Sequence, residues 1–357
     1  MRVVQMLPTM AYGDAVGNDT IALKDALESA GYETEIYAEN IDPRLPKGTV
    51  HSYSEYGERP EDVIIYHMSI GSNIGNTVRH ANAKKIVVYH NVTPAHFFEP
   101  YNKNLANLCR TGIEEVKAFA DVPDLCIADS NFNRNDLMHL GYKTDIKVLP
   151  ILIKFEDYAK TPEQSVIDQY KDDGYTNILF TGRIAPNKKQ EDIISAFYMY
   201  KTYVNPKSRL FIVGSMDKKD EYGKKLQLYA EQLDLDDVIF TGHVPFSHIL
   251  AYYHLADVFV CMSEHEGFCV PLVEAMYFNV PIIAYDSTAV GETLNGAGIL
   301  LKDKDPRVVS EAIHLAVSDQ KLRKQMIESG KERLKDFDND RIKKQFLDIL
   351  SEFIANH

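Results

Sequence analysis

Long apolar runs are missing from this sequence. No window approaches the roughly 18 uncharged apolar residues of a membrane-spanning helix, so none is expected. The opening MRVVQMLPTM holds an apolar run of strand length and lacks the architecture of a secretory signal. Cysteine is scarce. Cys109, Cys126, Cys261 and Cys269 are scattered without metal-type spacing, and free thiols in a cytoplasmic chain are the expectation. A positive balance is also absent. There are 39 Lys and Arg against 52 Asp and Glu, a formal net charge of −13. Residues 1–150 hold 14 cations against 20 acids, or −6, which leaves −7 for the remainder. That argues against nucleic acid as a partner and gives no support to a basic membrane-binding face. Lys103, Arg110 and Lys117 fall at roughly helical spacing, and a solvated helix face accounts for them.

What the sequence does contain is alternation. At 357 residues, 45% hydrophobic and 25% charged, the chain fits two globular domains of similar size. Apolar runs at Val3–Leu7, Glu35–Ala38, Val63–Tyr66, Ile86–Tyr89, Leu125–Ala128 and Ile146–Leu149 are separated by helical patterns. The second half repeats the scheme with NILFTGR, RLFIVG, DVIFTGHV, ADVFVCMS and VPIIAYD. Such alternation predicts an α/β protein with two doubly wound, Rossmann-like parallel sheets. Boundaries are expected at 1–155 and 156–335, with a polar linker KTPEQS from Lys160. The closing segment 336–357 carries an apolar stripe at Ile342, Phe346, Leu347, Leu350 and Phe353, the mark of a helix packed on a core.

Ligands of such sheets bind beyond the carboxyl ends of the strands. Those positions hold the polar residues. Gly13 and Asp14 follow the first run, with Gly17 beyond them, in a loop without the three-glycine dinucleotide fingerprint; a plain turn role for Asp14 is the alternative. His67 and His90 stand at equivalent strand ends, and Ser130 and Asn131 suit a helix cap. In the second half, Gly182 and Arg183 end a buried strand and Lys188 follows at a helix start. Two cations so placed are what a diphosphate leaving group needs.

The most informative stretch is EGFCVPLVEAM, Glu266 to Met276. Two carboxylates, Glu266 and Glu274, lie eight positions apart around Gly267, Cys269 and Pro271, so the segment reads as strand, tight loop, helix start. Free N–H groups at a helix start suit a phosphate, and a neighbouring carboxylate suits sugar hydroxyls. A capping carboxylate plus a solvated one is the plainer reading.

SEHEGFCVPLVEAMYFNVPIIA resembles the E-x7-E signature of retaining glycosyltransferases of family 4, which have the GT-B fold, and the likeness runs along nearly the whole chain. The stretch from Gly182 to Lys189 is similar to that family's G-R-x(4)-K-G, with Lys189 in place of the last glycine. The resemblance implies two domains facing across a cleft and a last helix returning to the first domain. It gives Arg183 and Lys188 the donor diphosphate, Glu274 the ribose, Glu266 a hydroxyl of the transferred sugar, and Gly267, Phe268 and Cys269 main-chain support. The loop at Val244 would hold the nucleobase through its main chain, and His243 is either a surface residue or stacks on the base. His90 would lie near the transferred sugar, with His67 as an acceptor or supporting residue. Where the family has two adjacent glycines facing the diphosphate, this chain has Gly13 and Asp14.

The implied activity is transfer of a hexosyl or deoxyhexosyl group from a nucleotide diphosphate sugar, UDP-linked as first expectation, with GDP-mannose and dTDP-rhamnose behind it. The acceptor would be a hydroxyl of a glycan or lipid-linked glycan. No metal or other cofactor is expected, and membrane contact would be at most peripheral, at the inner face. Asp234 and Asp236 imitate a metal-binding pair but read as a surface loop; Gly296 and Gly298 read as turn residues. Alternatives are a catalytically idle binding subunit and a glycoside phosphorylase or synthase on the same fold. No pyridoxal phosphate motif and no evident covalent nucleophile are present.

Overall fold

The computed structural model describes residues 1–216 and 221–356, which fall into two compact units. The first comprises Met1–Lys154 and Phe337–His357, the second Phe155–Asp336.

The first unit is built on seven parallel strands: β1 (Arg2–Met10), β2 (Glu33–Ile41), β3 (His51–Ser52), β4 (Val63–Met68), β5 (Lys84–Tyr89), β6 (Leu125–Ala128) and β7 (Ile146–Val148). Their order is β3-β2-β1-β4-β5-β6-β7. The middle strands are buried on both faces, which is why VIIYHM and KIVVY read as near-continuous apolar runs. The order changes direction between β1 and β4. That is the switch point at which the crevice of a doubly wound sheet opens.

The second unit repeats the plan with β8 (Thr176–Thr181), β9 (Ser208–Val213), β10 (Val238–Gly242), β11 (Val258–Cys261), β12 (Ile282–Tyr285) and β13 (Ile299–Leu301), ordered β10-β9-β8-β11-β12-β13. Its switch point lies between β8 and β11. The residues after these two strands are Gly182–Arg183 and Met262–Glu266, so topology brings together two segments that sequence separates by about 80 positions. The two short edge strands β3 and β13 were not legible as runs: two and three residues are too few to show a period.

The final helix, Asn339–Asn356, belongs to the first unit. Ile342, Phe346, Leu350 and Phe353 are buried against Val3, Leu23, Val63, Ile65, Ile86, Val88, Leu125 and Ile127. Asn339 fixes its start by exchanging hydrogen bonds with the backbone of Ile153, donating to the carbonyl at 2.6 Å. No helix among the described residues is long and apolar enough to cross a membrane.

Truncating the returning helix should be costly for the unit it completes. Phe346→Ala should lower the unfolding free energy of the first unit by about 3–5 kcal/mol, read from its urea transition; a loss below about 1 kcal/mol would show that the helix is a peripheral addition.

Candidate functional site

In the second unit, the segment after β11 and the segment after β8 are tied side by side. Asn187, buried, donates from Nδ2 to the carbonyl of His265 at 3.0 Å, and its own carbonyl accepts from the Glu264 amide at 2.8 Å. These bonds bring Lys188 to Glu266. The Lys188 ammonium donates to Glu266 Oε1 at 2.5 Å and Oε2 at 2.7 Å, with side chains only 19% and 9% exposed. Burial by itself would lower the Lys188 pKa, but the Glu266 carboxylate holds it above the ordinary lysine value. The ammonium has three donors; Glu266 takes two. The Glu266 amide donates to Thr288 Oγ1 at 2.9 Å, which anchors the loop from its other side.

Backbone geometry explains two features of the sequence here. Lys189 has φ 54° and ψ 47°, and Cys269 φ 81° and ψ 64°. Both are left-handed conformations that favour glycine. Lys189, the residue that replaces the expected glycine, therefore keeps the glycine backbone. Cys269 occupies the position before the helix Val270–Tyr277 without a side-chain capping bond, and Pro271 lies in the helix's first turn. Lys188 sits in a single 3₁₀ turn, Pro186–Lys188, ahead of the helix that begins at Gln190, and not in that helix.

Glu274 lies one turn into the helix Val270–Tyr277. Its Oε2 accepts from Tyr253 at 2.7 Å and its Oε1 from Tyr158 at 3.0 Å; Tyr253 in turn meets Thr181 Oγ1, at the end of β8, at 2.7 Å. Burial raises the pKa of this carboxyl, against the two phenolic donors that lower it. Arg183 is exposed, and no hydrogen bond or ion pair holds its guanidinium among the described residues. Gly267, Phe268 and Cys269 occupy the turn between Glu266 and the helix, with Phe268 and Cys269 buried. Val244 is half-buried just past Gly242, which has φ 66°, and His243 is exposed. Asp234, at φ 56°, and Asp236 lie in the turn between a helix and β10. Gly296 has φ 83°, a turn conformation, while a Cβ on Gly298 would stand 2.5 Å from the Ile282 carbonyl.

In the first unit, Gly13 (φ 78°) turns the chain after β1 and Asp14 caps the helix Ala15–Ser29, accepting from the Gly17 amide at 2.7 Å. A Cβ on Gly17 would meet Asp14 Oδ1 at 2.6 Å, so the small residue makes room for the cap. Ser130 caps the helix Asn131–His139 through the Asn133 amide, and Asn131 is its first residue. His67 and His90 are brought together: His67 Nδ1 lies 2.9 Å from His90 Nε2. The outer nitrogens are engaged as well, His67 Nε2 with Gln5 Oε1 and His90 Nδ1 with Asp129 Oδ2, each at 2.9 Å. Asp19 stands beside them, its Oδ1 accepting from the Leu152 amide at 2.7 Å, and burial pushes its carboxyl up to about 7.

Sequence reasoning did not single out Gln5, Asp19, Asp129, Asn187, Tyr158, Tyr253 or Thr288. Two carried a signal. Gln5 is a polar residue inside an apolar strand, and Asp129 follows β6 as His90 follows β5. The tyrosines carried none: both are buried.

Two clusters have ligand-type atoms within 4.8 Å of one another, Cys261 with Glu266 and Cys269, and Asp19 with His67 and His90. In the first, Lys188 occupies Glu266. In the second, the ring planes are parallel to 8° with centroids 5.2 Å apart. With the nitrogens at 2.9 Å, this sets the imidazoles edge to edge in one plane, so their facing nitrogens point at each other along a line. That is the geometry of a hydrogen bond; two ligands of one metal would converge on a vertex. The four cysteines are buried and form no disulfide.

Residues 163–333, most of the second unit, match the family model for glycosyl transferases group 1. The chain carries a glycosyl transferases group 1 domain. It is also 23% identical over 301 residues to the O-antigen chain mannosyltransferase B of Escherichia coli, covering 83% of this chain and 74% of that protein. The transferase resembles solved structures over its whole length. Sucrose-phosphate synthase of Thermosynechococcus elongatus matches with a TM-score of 0.80 at 17% identity, covering 100% of both chains. Anabaena HepE, in complex with UDP and glucose, matches with a TM-score of 0.76 at 17% identity over 99% of this chain and 100% of that one. The fold is GT-B, with two Rossmann-like parallel-sheet domains, and the protein is a glycosyltransferase.

The raised Asp19 pKa gives a signed prediction. The folded state binds the proton more tightly than the unfolded chain, so this group's contribution to stability falls as pH rises from about 4 to about 7 and is flat above that. Asp19→Asn keeps an acceptor for the Leu152 amide and cannot ionise. Its stability relative to wild type should therefore grow across that window and level off above it, measured by urea unfolding at a series of pH values; a difference independent of pH would contradict the assignment.

Proposed function

We propose that the chain is a retaining, metal-independent glycosyltransferase of family 4 that moves a hexosyl or deoxyhexosyl group from a nucleotide diphosphate sugar to a hydroxyl of a glycan or lipid-linked glycan. The observation that carries this reading is the paired arrangement at the second switch point: Lys188 bound to Glu266, Arg183 exposed without a partner among the described residues, and Glu274 held by two tyrosines one turn into the following helix.

Each part has a chemical use. The remaining donor of Lys188 and the open guanidinium of Arg183 neutralise charge that grows on the diphosphate as the glycosidic bond breaks. Glu274, oriented by Tyr253 and Tyr158, accepts from the ribose hydroxyls. Glu266 accepts from a hydroxyl of the transferred sugar, with the main chain of Gly267 to Cys269 supporting sugar and phosphate at the helix start. The main chain around Val244 meets the nucleobase. Gly13 and Asp14 line the loop facing the donor diphosphate, with Asp14 satisfied by its cap and so kept off the phosphate. His90 stabilises the donor sugar from the first unit through its charge, its ring nitrogens being held by His67 and Asp129. Transfer proceeds by front-face displacement, the leaving phosphate taking the proton of the acceptor hydroxyl, and needs no covalent nucleophile.

The HepE structure with UDP and glucose supports a UDP-sugar as the first donor to test, and the mannosyltransferase relative keeps GDP-mannose beside it. The same relative's O-antigen chain supports a polysaccharide acceptor.

A thermal-shift screen of UDP, GDP, dTDP, ADP and their sugar conjugates tests the donor reading. One nucleotide should stabilise the wild type by about 2.7 kcal/mol at a hundredfold excess over Kd, and Glu274→Ala should lose that response. No response from a folded wild type would favour the idle-subunit alternative. Arg183→Ala, which breaks no side-chain hydrogen bond or ion pair among the described residues, should leave the melting temperature unchanged and lower kcat by about 10²–10³; unchanged kcat would remove Arg183 from the diphosphate.

A further inference from the structure

The chain of contacts Gln5–His67–His90–Asp129 fixes where its protons are. Gln5 Nε2 donates to the Thr20 carbonyl at 2.9 Å, an acceptor that cannot donate, so Gln5 Oε1 is the atom facing His67. His67 Nε2 must therefore carry a hydrogen. The facing nitrogens His67 Nδ1 and His90 Nε2 share one more, in line. A third lies between His90 Nδ1 and Asp129. Burial raises the Asp129 carboxyl pKa and the facing His90 ring lowers it; with that carboxyl ionised, the two rings together carry one positive charge.

The surroundings decide which ring holds it. His67 is fully buried and its outer nitrogen meets only a neutral amide, so burial lowers its pKa well below the usual value. His90 is also desolvated, but it faces Asp129 across a 2.9 Å contact, with Asp19 and Asp14 adding to the negative field from the first helix and its cap, and its pKa is raised. The side chains of His90 and Asp129 are 3% and 4% exposed, so the pair is sealed inside the unit.

We propose that Gln5, His67 and Asp129 are positioning residues that hold His90 as an imidazolium with both N–H groups committed inside the first unit, so that His90 serves transfer as a fixed charge and a fixed strand end and neither takes nor gives a proton. Its connection with transfer rests on the function proposed above; the charge state does not. The His90 amide is itself bonded to the Met68 carbonyl at 3.0 Å, and Asn91 follows at φ 75°, its side chain donating to Asn133 Oδ1 at 2.9 Å. The turn after β5 is thus held through both the ring and the next residue.

The test is ¹⁵N NMR of histidine-labelled protein, with His67 and His90 assigned through single variants. At about pH 7.5, His90 should show both ring nitrogens protonated and His67 only Nε2. Asp129→Asn should remove the second proton of His90 at that pH, and Asp129→Glu should restore it. In a transfer assay, the kcat of Asp129→Asn relative to wild type should fall towards about pH 8 and recover towards about pH 6, where the ring reprotonates. A bare nitrogen on wild-type His90 at about pH 7.5 would overturn the proposal, as would an Asp129→Asn loss equal at all pH values. The NMR reading needs no substrate, so a chain without transferase activity would defeat the functional proposal and leave this one decided.

Discussion

The buried Lys188–Glu266 pair is the interaction on which the second unit's site depends. Taking an ammonium and a carboxylate out of water costs several kcal/mol per ion before their attraction is counted, and removing one partner strands the other. Such a pair persists only where the backbone delivers both groups accurately. Here delivery comes from Asn187, which bonds one loop to the other, from Thr288, which holds the Glu266 amide, and from two residues accepting left-handed backbone, Lys189 and Cys269. Strain of this kind is kept when the surrounding structure over-determines it, and it gathers at functional sites.

Both units obey one topological constraint. In each parallel sheet the strand order reverses once, and polar residues collect towards the carboxyl ends of the strands at and beside the reversal. In the first unit the Asp14 cap follows β1 and the histidine chain runs from β1 and β4 to the ends of β5 and β6; in the second, the Lys188–Glu266 pair follows β8 and β11, with Glu274 in the helix beyond. Different chemistry is mounted on the same frame. The first unit's network is closed, every ring nitrogen being satisfied within it, while at the second unit's site Arg183 has no partner among the described residues.

Much of this was legible from sequence because parallel strands buried on both faces write themselves as apolar runs, and the rule of carboxyl ends then selects the residues after them. That rule makes His67, His90 and Arg183 candidates, while Glu266 and Glu274 stand out through the spacing of their carboxylates and the E-x7-E resemblance. The edge strands His51–Ser52 and Ile299–Leu301 were too short to announce themselves. The supporting residues escaped for a different reason. Tyr253 and Tyr158 sit in apolar surroundings where a phenol counts as core packing, and only coordinates show the hydroxyls turned to Glu274. Gln5, Asp19 and Asn187 are buried polar groups whose partners lie 15 to 133 positions away, a spacing no local pattern encodes.

The central claim is retention in transfer from a nucleotide diphosphate sugar. Its most direct test is to incubate the purified protein, in the presence of chelator, with the donor that stabilises it and a glycan acceptor, and to determine the anomeric configuration of the new linkage by ¹H NMR. The account predicts transfer that keeps the donor's configuration and survives the chelator. An inverted linkage, or transfer that stops when divalent metal is removed, would contradict it.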